Sequence, residues 1–227
     1  LQELADMARP GVNLKALDQA GEDKFRREGV IPTFKGYLGY PYTICASVNE
    51  QIVHGFPIDR ILEDGDILSI DLGATVNGWV ADSAVTVGVG SISREAQRLL
   101  DVTKESLAVG IEVARVGVRK GDVGAAIQAV IEEAGFGVVR NYVGHGVGRQ
   151  MHEPPSMPNY GTANTGIVLR KGLVIALEPM ATVGSPDTVV LEDGWTVVTK
   201  SGGLSAHFEH TMALRENQPA DVLTLWN

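Results

Sequence analysis

The chain has 227 residues, 44% hydrophobic and 21% charged, a globular balance far from that of a disordered chain. Nineteen Lys and Arg against 28 Asp and Glu leave a formal charge of −9, which excludes tight nucleic-acid binding driven by counterion release and attraction to anionic lipid. The single cysteine, Cys45, excludes an intrachain disulfide framework and a cysteine-based zinc cluster, and it fits a reducing, cytoplasmic setting.

No uncharged apolar run approaches the roughly 18 residues that a bilayer span needs, so no membrane partner is expected. Leu1-Gln2-Glu3-Leu4 has neither the basic start nor the apolar stretch of a signal peptide, and without an initiator Met a trimmed start is expected. Gly11-Val12 is followed 18 residues on by Gly29-Val30, and Gly117-Val118 at the same spacing by Gly135-Phe136. Between the second pair, Val123, Ala126, Ile127, Val130, Ile131 and Ala134 recur with helical period, which predicts an amphipathic helix ended by Gly135. The first copy, with Leu14, Leu17 and Phe25, reads as a poorer helix interrupted by Gly21. Gly65-Asp66-Ile67-Leu68-Ser69-Ile70-Asp71 likewise resembles Gly172-Leu173-Val174-Ile175-Ala176-Leu177-Glu178. Each half thus reads as a helix, then an apolar strand ending in a carboxylate. One catalytic domain over 1–227 is expected, with pseudo-symmetric halves of about 1–115 and 116–227. Between them, Ser93 caps a predicted helix from about Arg94 to Val113. Strand-like runs lie near 42–48, 66–73, 79–88, 173–182, 188–199 and 206–214. Helices and hairpins in mixed order point to an α+β fold.

Two aspartates stand out. Asp71 lies inside the apolar run Ile67–Leu72 and Asp82 inside Trp79–Val85, with a hairpin turn predicted over Thr75-Val76-Asn77-Gly78. Depending on the turn centre, the two lie directly opposite or diagonal, and in both registers they share one face. Opposed like charges destabilise a sheet, and an unpaired buried carboxylate costs several kcal/mol. A cation between them reverses the sign; a solvated strand face is the other reading. Glu178, a third carboxylate, closes another apolar strand, Glu209 in Leu204–His210 is a fourth, and His145 sits between glycines that would let a ligand approach the backbone. Four carboxylates and one imidazole without thiolate suit two divalent ions of Co, Mn, Fe or Zn, whose charge balances the acids. Such a pair activates water and polarises a carbonyl.

These residues resemble the type I methionine aminopeptidases, metallopeptidases of the pita-bread fold. The resemblance rests on Gly39-Tyr40-Pro41, Val48-Asn49-Glu50 leading to His54-Gly55-Phe56-Pro57, Ser69-Ile70-Asp71, Asp82, Gly144-His145-Gly146-Val147-Gly148-Arg149, His152-Glu153-Pro154, Glu178-Pro179-Met180, Trp195-Thr196-Val197 and Glu209-His210-Thr211. It implies a curved antiparallel sheet with helices outside and pseudo-two-fold symmetry. It implies Asp71, Asp82, His145, Glu178 and Glu209 as metal ligands, with Asp82 and Glu209 bridging. His54, His152 and Glu178 are then catalytic, Glu178 as proton shuttle and His152 as oxyanion donor. The methionine pocket would comprise Phe34, Tyr37, Tyr40, Cys45, His54, Met151, His152 and Trp195, where aromatic faces and sulfur suit a thioether. The implied activity is hydrolytic removal of the N-terminal methionine from nascent polypeptides by a metal-activated water. A monomer with transient ribosome contact at most is expected.

The rival readings are an X-Pro aminopeptidase or dipeptidase of the same fold and a non-catalytic peptide-binding relative. His207 and His210, flanking Glu209, read as structural or supporting rather than ligating.

Overall fold

In this computed structural model residues 1–225 are described, and the last two residues of the expected 116–227 half lie outside them. The chain begins with α1 (Gln2–Met7) and α2 (Leu14–Glu28), then β1 (Ile31–Pro32), a short 3-10 turn at Tyr37–Gly39, β2 (Cys45–Val48) and β3 (Gln51–Val53). The long hairpin of β4 (Ile67–Val76) and β5 (Trp79–Gly88) precedes α3 (Arg94–Val113) and α4 (Lys120–Glu133). Short strands follow: β6 (Gly137–Val138), β7 (Gly144–Gly146), β8 (Glu153–Met157), β9 (Val174–Leu177) and β10 (Met180–Thr182). The last are β11 (Thr188–Val190), β12 (Val197–Thr199), β13 (Ser205–His207), β14 (Glu209–Ala213) and β15 (Asp221–Val222).

Helix ends follow their local chemistry. Ser93 Oγ accepts from the Ala96 amide at 3.0 Å, so α3 starts where its cap predicts. Asn13 caps α2 in the same manner, and Gly29 ends it at φ +66°. Gly21 does not interrupt α2. It lies where the helix meets Ile44, and an added Cβ would stand 3.3 Å from that side chain.

The matched segments of the two halves make the same backbone bonds. The Gly11 amide donates to the Leu62 carbonyl (2.8 Å) and the Gly117 amide to that of Leu169 (3.0 Å). Leu62 returns a bond to Val12 and Leu169 to Val118, each at 2.8 Å. Gly11, Gly29 and Gly65, with their counterparts Gly117, Gly135 and Gly172, all have left-handed φ between +66° and +98°. The fold has pseudo-two-fold internal symmetry.

A nine-stranded antiparallel sheet runs β1-β4-β5-β14-β9-β7-β8, with β2 beside β4 and β15 beside β14. Smaller sheets join β13-β10-β6 and β11-β12-β3. Leu99 and Leu107 of α3, Ile127 and Ile131 of α4, and Ile175 and Leu177 of β9 form the main core. Burying each such side chain stabilises the fold by roughly 2 kcal/mol. A second core joins Leu14 and Leu17 of α2 to Ile44, Leu68 and Ile70. The α+β expectation holds.

Several predicted strands differ in extent. The run at 42–48 contributes only Cys45–Val48, whereas β4 continues to Val76. The run at 173–182 divides at Glu178-Pro179, and its pieces β9 and β10 enter different sheets; proline has no amide to continue a ladder. That at 188–199 divides into β11 and β12, because Asp193 Oδ1 accepts from the Trp195 and Thr196 amides at 2.8 Å each. That at 206–214 divides at Phe208 into β13 and β14.

Candidate active site

Five neighbouring strands carry the five candidate ligands. In sheet order β4-β5-β14-β9-β7 they are Asp71, Asp82, Glu209, Glu178 (the residue after β9) and His145. The hairpin turns at Asn77-Gly78, whose φ values of +51° and +74° are those of a tight two-residue loop matched to strand twist. This places Asp71 opposite Ala84 and Asp82 opposite Gly73, so the aspartates are diagonal rather than directly opposed. The solvated-face reading fails, since Asp71 and Asp82 are 8% and 4% exposed.

At the join between the halves, Thr211 Oγ1 accepts from the Asp82 amide (2.9 Å) and donates to the Asp82 carbonyl (2.8 Å). That pair of bonds fixes Asp82 against β14. The glycines flanking His145 serve the neighbouring strands rather than a ligand. A Cβ on Gly144 would stand 2.5 Å from the Ala176 carbonyl, and one on Gly146 2.4 Å from that of Pro154.

The site concentrates negative charge away from water. Burial pushes the Asp71 carboxyl well above the usual carboxylate range, and Asp82 and Glu178 add to the effect. Burial likewise raises Glu209, reinforced by the same neighbours. Glu178 is pushed up to about 8 by burial, against the pull of His145. Burial draws His145 down, but Asp82 at 3.7 Å and Glu178 at 3.6 Å outweigh it and hold the ring at about 9. Asp71 Oδ1, Asp82 Oδ1 and Glu209 Oε1 are buried and accept no hydrogen bond. Donor atoms of Asp82, His145 and Glu209 lie within 4.8 Å of one another. Unmet buried oxygens around an imidazole are what divalent cations satisfy, so this donor set fits the metal centre.

Above the carboxylates lies a pocket of about 170 Å³. Phe34, Tyr37, Tyr40, Cys45, Met151 and Trp195 line it, together with His54 and His152. All eight expected pocket residues therefore surround one space. Tyr40 is pinned by donation to the Ile44 carbonyl at 2.9 Å, and its ring meets Trp195 edge-on at 5.1 Å. Cys45 pairs with Asp71 across β2 and β4, and burial raises its thiol well above the ordinary value, so it is an apolar wall rather than a nucleophile. His152 Nδ1 is 2.8 Å from the Tyr37 hydroxyl, and its ring lies 4.3 Å from that of His145. Burial and His145 lower His152, and burial and His152 lower His54, so both rings are neutral at pH 7. His54 holds a left-handed φ of +60°, a strained conformation for a residue with a Cβ.

Leu38, which the sequence reading passed over, also lines the pocket and is 79% exposed at its mouth. Its sequence neighbourhood gave no signal for that position. His210 is held by Thr224 at 3.0 Å, in keeping with a supporting role. His207 faces the carboxylates, with Nε2 3.8 Å from Glu178 and 3.9 Å from Glu209, also in keeping with a supporting role. Its position two residues before Glu209 was the available signal.

Comparison with known proteins agrees with this geometry. Residues 1–216 match the description of metallopeptidase family M24. Methionine aminopeptidase 1 of Bacillus subtilis is 49% identical over 223 residues, spanning 98% of this chain and 90% of that protein. The Clostridium acetobutylicum methionine aminopeptidase is 47% identical, over 99% of this chain and 90% of its own. The crystal structure of the Thermotoga maritima methionine aminopeptidase superimposes with a TM-score of 0.97 at 46% identity, covering 100% and 91% of the two chains. A prolidase from Pyrococcus furiosus shares the fold at 23% identity and a TM-score of 0.77, over 98% of this chain and 60% of its own. With the pita-bread fold, the buried carboxylate–histidine cluster and full-length likeness together, the chain belongs to the type I methionine aminopeptidases of metallopeptidase family M24.

Proposed function

We propose that this chain hydrolyses the peptide bond after an N-terminal methionine of nascent polypeptides and peptides. The observation that carries this reading is the cluster of buried, unsatisfied carboxylates at the base of an aromatic and sulfur-lined pocket. Asp71, Asp82, His145, Glu178 and Glu209 would hold two divalent ions. When bound, the metals supply an activated water and a Lewis acid for the scissile carbonyl.

The remaining chemistry belongs to side chains. Phe34, Tyr40, Cys45, Met151 and Trp195 receive the methionine side chain, and soft sulfur–aromatic contacts favour it by roughly 0.3–1.5 kcal/mol each. Glu178 takes a proton on its carboxylate from the attacking water and passes it to the leaving amine. In this reading the Tyr37 hydroxyl, 2.8 Å from His152 Nδ1, acts as the donor, so that the ring proton sits on Nε2, available to the oxyanion. His54, neutral and fixed by its backbone, stands by the leaving amine.

The same reading makes residues 1–227 one catalytic domain of two halves, about 1–115 and 116–227, with ligands from both. It takes the protein as a cytoplasmic monomer whose ribosome contact is transient. Among the described residues no helix is long and apolar enough to cross a membrane, and Cys45 is unpaired.

Incubation of metal-loaded protein with Met-Ala-Ser and Ala-Pro-Ala peptides tests the reading. Free methionine from the first peptide alone is expected. Alanine released from the proline peptide overturns it in favour of the prolyl relative, and no turnover with any of several metals overturns it in favour of a binding protein.

A further inference from the structure

His152 lies in an irregular stretch, residues 147–152, that joins β7 to β8 and belongs to neither strand. Within its own half, the Val147 amide donates to the Val174 carbonyl at 3.1 Å and the Gln150 amide to Glu153 Oε1 at 2.9 Å. Further support comes from the tip of the β4–β5 hairpin in the other half. The Val80 amide donates to the Gly148 carbonyl at 2.8 Å. Arg149 Nη1 donates to the Asn77 and Gly78 carbonyls at 3.2 and 3.1 Å, and its guanidinium carbon stands 3.9 Å from the centre of the Trp79 ring. A Cβ on Gly78 would stand 2.8 Å from Arg149 Nη1, so the bare glycine leaves room for the guanidinium. Trp79 is 55% exposed and Arg149 is exposed as well, so core packing accounts for neither. An exposed stack of this kind adds little to global stability, and what it fixes is local.

We propose that Arg149 and Trp79 clasp the 147–152 stretch to the hairpin and thereby position His152 against the scissile carbonyl. This rests on the reading of His152 as oxyanion donor given above. Asp82 lies three residues after Trp79 on β5, and His152 three residues after Arg149. The clasp therefore sets the spacing between a strand that carries a metal ligand and the stretch that carries the oxyanion donor, across the join of the halves. Both are positioning residues that act through His152. A planar guanidinium donates in its plane while its face lies on the indole; a lysine ammonium has no such face, so Arg149→Lys is not conservative here.

The test is steady-state hydrolysis of Met-Ala-Ser by metal-loaded wild type, Arg149→Ala, Arg149→Lys, Trp79→Ala, His152→Ala and the double variant Arg149→Ala/His152→Ala, with metal content by mass spectrometry. A shift of about 1 Å at a reacting group costs up to roughly a hundredfold in rate, so Arg149→Ala and Trp79→Ala are each expected to lower kcat about tenfold at wild-type metal content. Arg149→Lys should not restore it, and the double variant should be as active as His152→Ala alone. Wild-type kcat in Arg149→Ala, beside lost turnover in His152→Ala, overturns the clasp alone. A further tenfold loss in the double variant does the same, because Arg149 then acts other than through His152. Wild-type kcat in His152→Ala overturns the underlying reading of that histidine. Should Arg149→Ala fail to fold, Trp79→Ala, singly and with His152→Ala, decides by the same measurements.

Discussion

The metal-free protein should gain stability when one of its own active-site acids is neutralised. Glu178, with a side chain 13% exposed, is raised from its ordinary 4.5 to about 8. A folded-state value above the unfolded one gives stability that is fully present below about 4.5 and lost as pH rises through about 8. At pH 7 the unfolded chain ionises this group freely while the fold holds it protonated, a difference of about 3 kcal/mol. Glu178→Gln keeps the shape and removes the titration. Urea unfolding of chelator-treated proteins, followed by circular dichroism, should place the variant up to about 3 kcal/mol above wild type at pH 7. The two should converge near pH 5, where wild type has lost little. Both should still weaken with rising pH, because Asp71, Glu209 and His145 are raised as well. Saturating Co²⁺ should reverse the order, since binding to the fold stabilises wild type and reaches the variant less. A metal-free variant no more stable than wild type at pH 7, or a gap that persists at pH 5, would refute the reasoning.

Three further predictions concern chemistry and packing. His152→Ala should lower turnover by roughly a hundredfold or more while metal content by mass spectrometry stays at wild-type level; lost metal would mean that His152 is a ligand. Tyr37→Phe removes the 2.8 Å contact to His152 and should lower kcat roughly tenfold with little change in KM for Met-Ala-Ser, whereas a change confined to KM would make Tyr37 a pocket wall only. Gly124→Ala, whose Cβ would stand 2.3 Å from the Tyr160 carbonyl, should cost roughly 3 kcal/mol in urea unfolding. Gly135→Ala, strained at φ +80° but with nothing within 4 Å, should cost only about 1 kcal/mol; the reverse order would contradict the packing of α4.

Local signals carried much of the fold. α3 spans Arg94–Val113 because a serine cap and a sustained apolar stripe act within one segment. The hairpin was readable from Asn77-Gly78, but its register depended on which residues form the loop, and the two-residue turn decided it. Strand division at Phe208 was not readable, because β13 and β14 take different partners and that choice is made by tertiary packing. The carboxylates were legible for an energetic reason: acids inside apolar strands are anomalous without a counter-charge. The supporting place of His207 was legible from its position beside Glu209, whereas its reach to Glu178 is visible only in three dimensions.

The seam at Thr211 also orders events in time. Ser83 Oγ donates to the Glu209 carbonyl across 126 positions of chain, so β5 and β14 meet by closing most of the sequence into a loop. Closure entropy grows with the logarithm of that length, and distant pairings slow folding. Asp71 and Asp82 reach Glu209, Glu178 and His145 only through that closure. The coordination sphere therefore cannot template the early chain. It exists only once the ladder between β5 and β14 has zipped, and the ion becomes a latch on that closure.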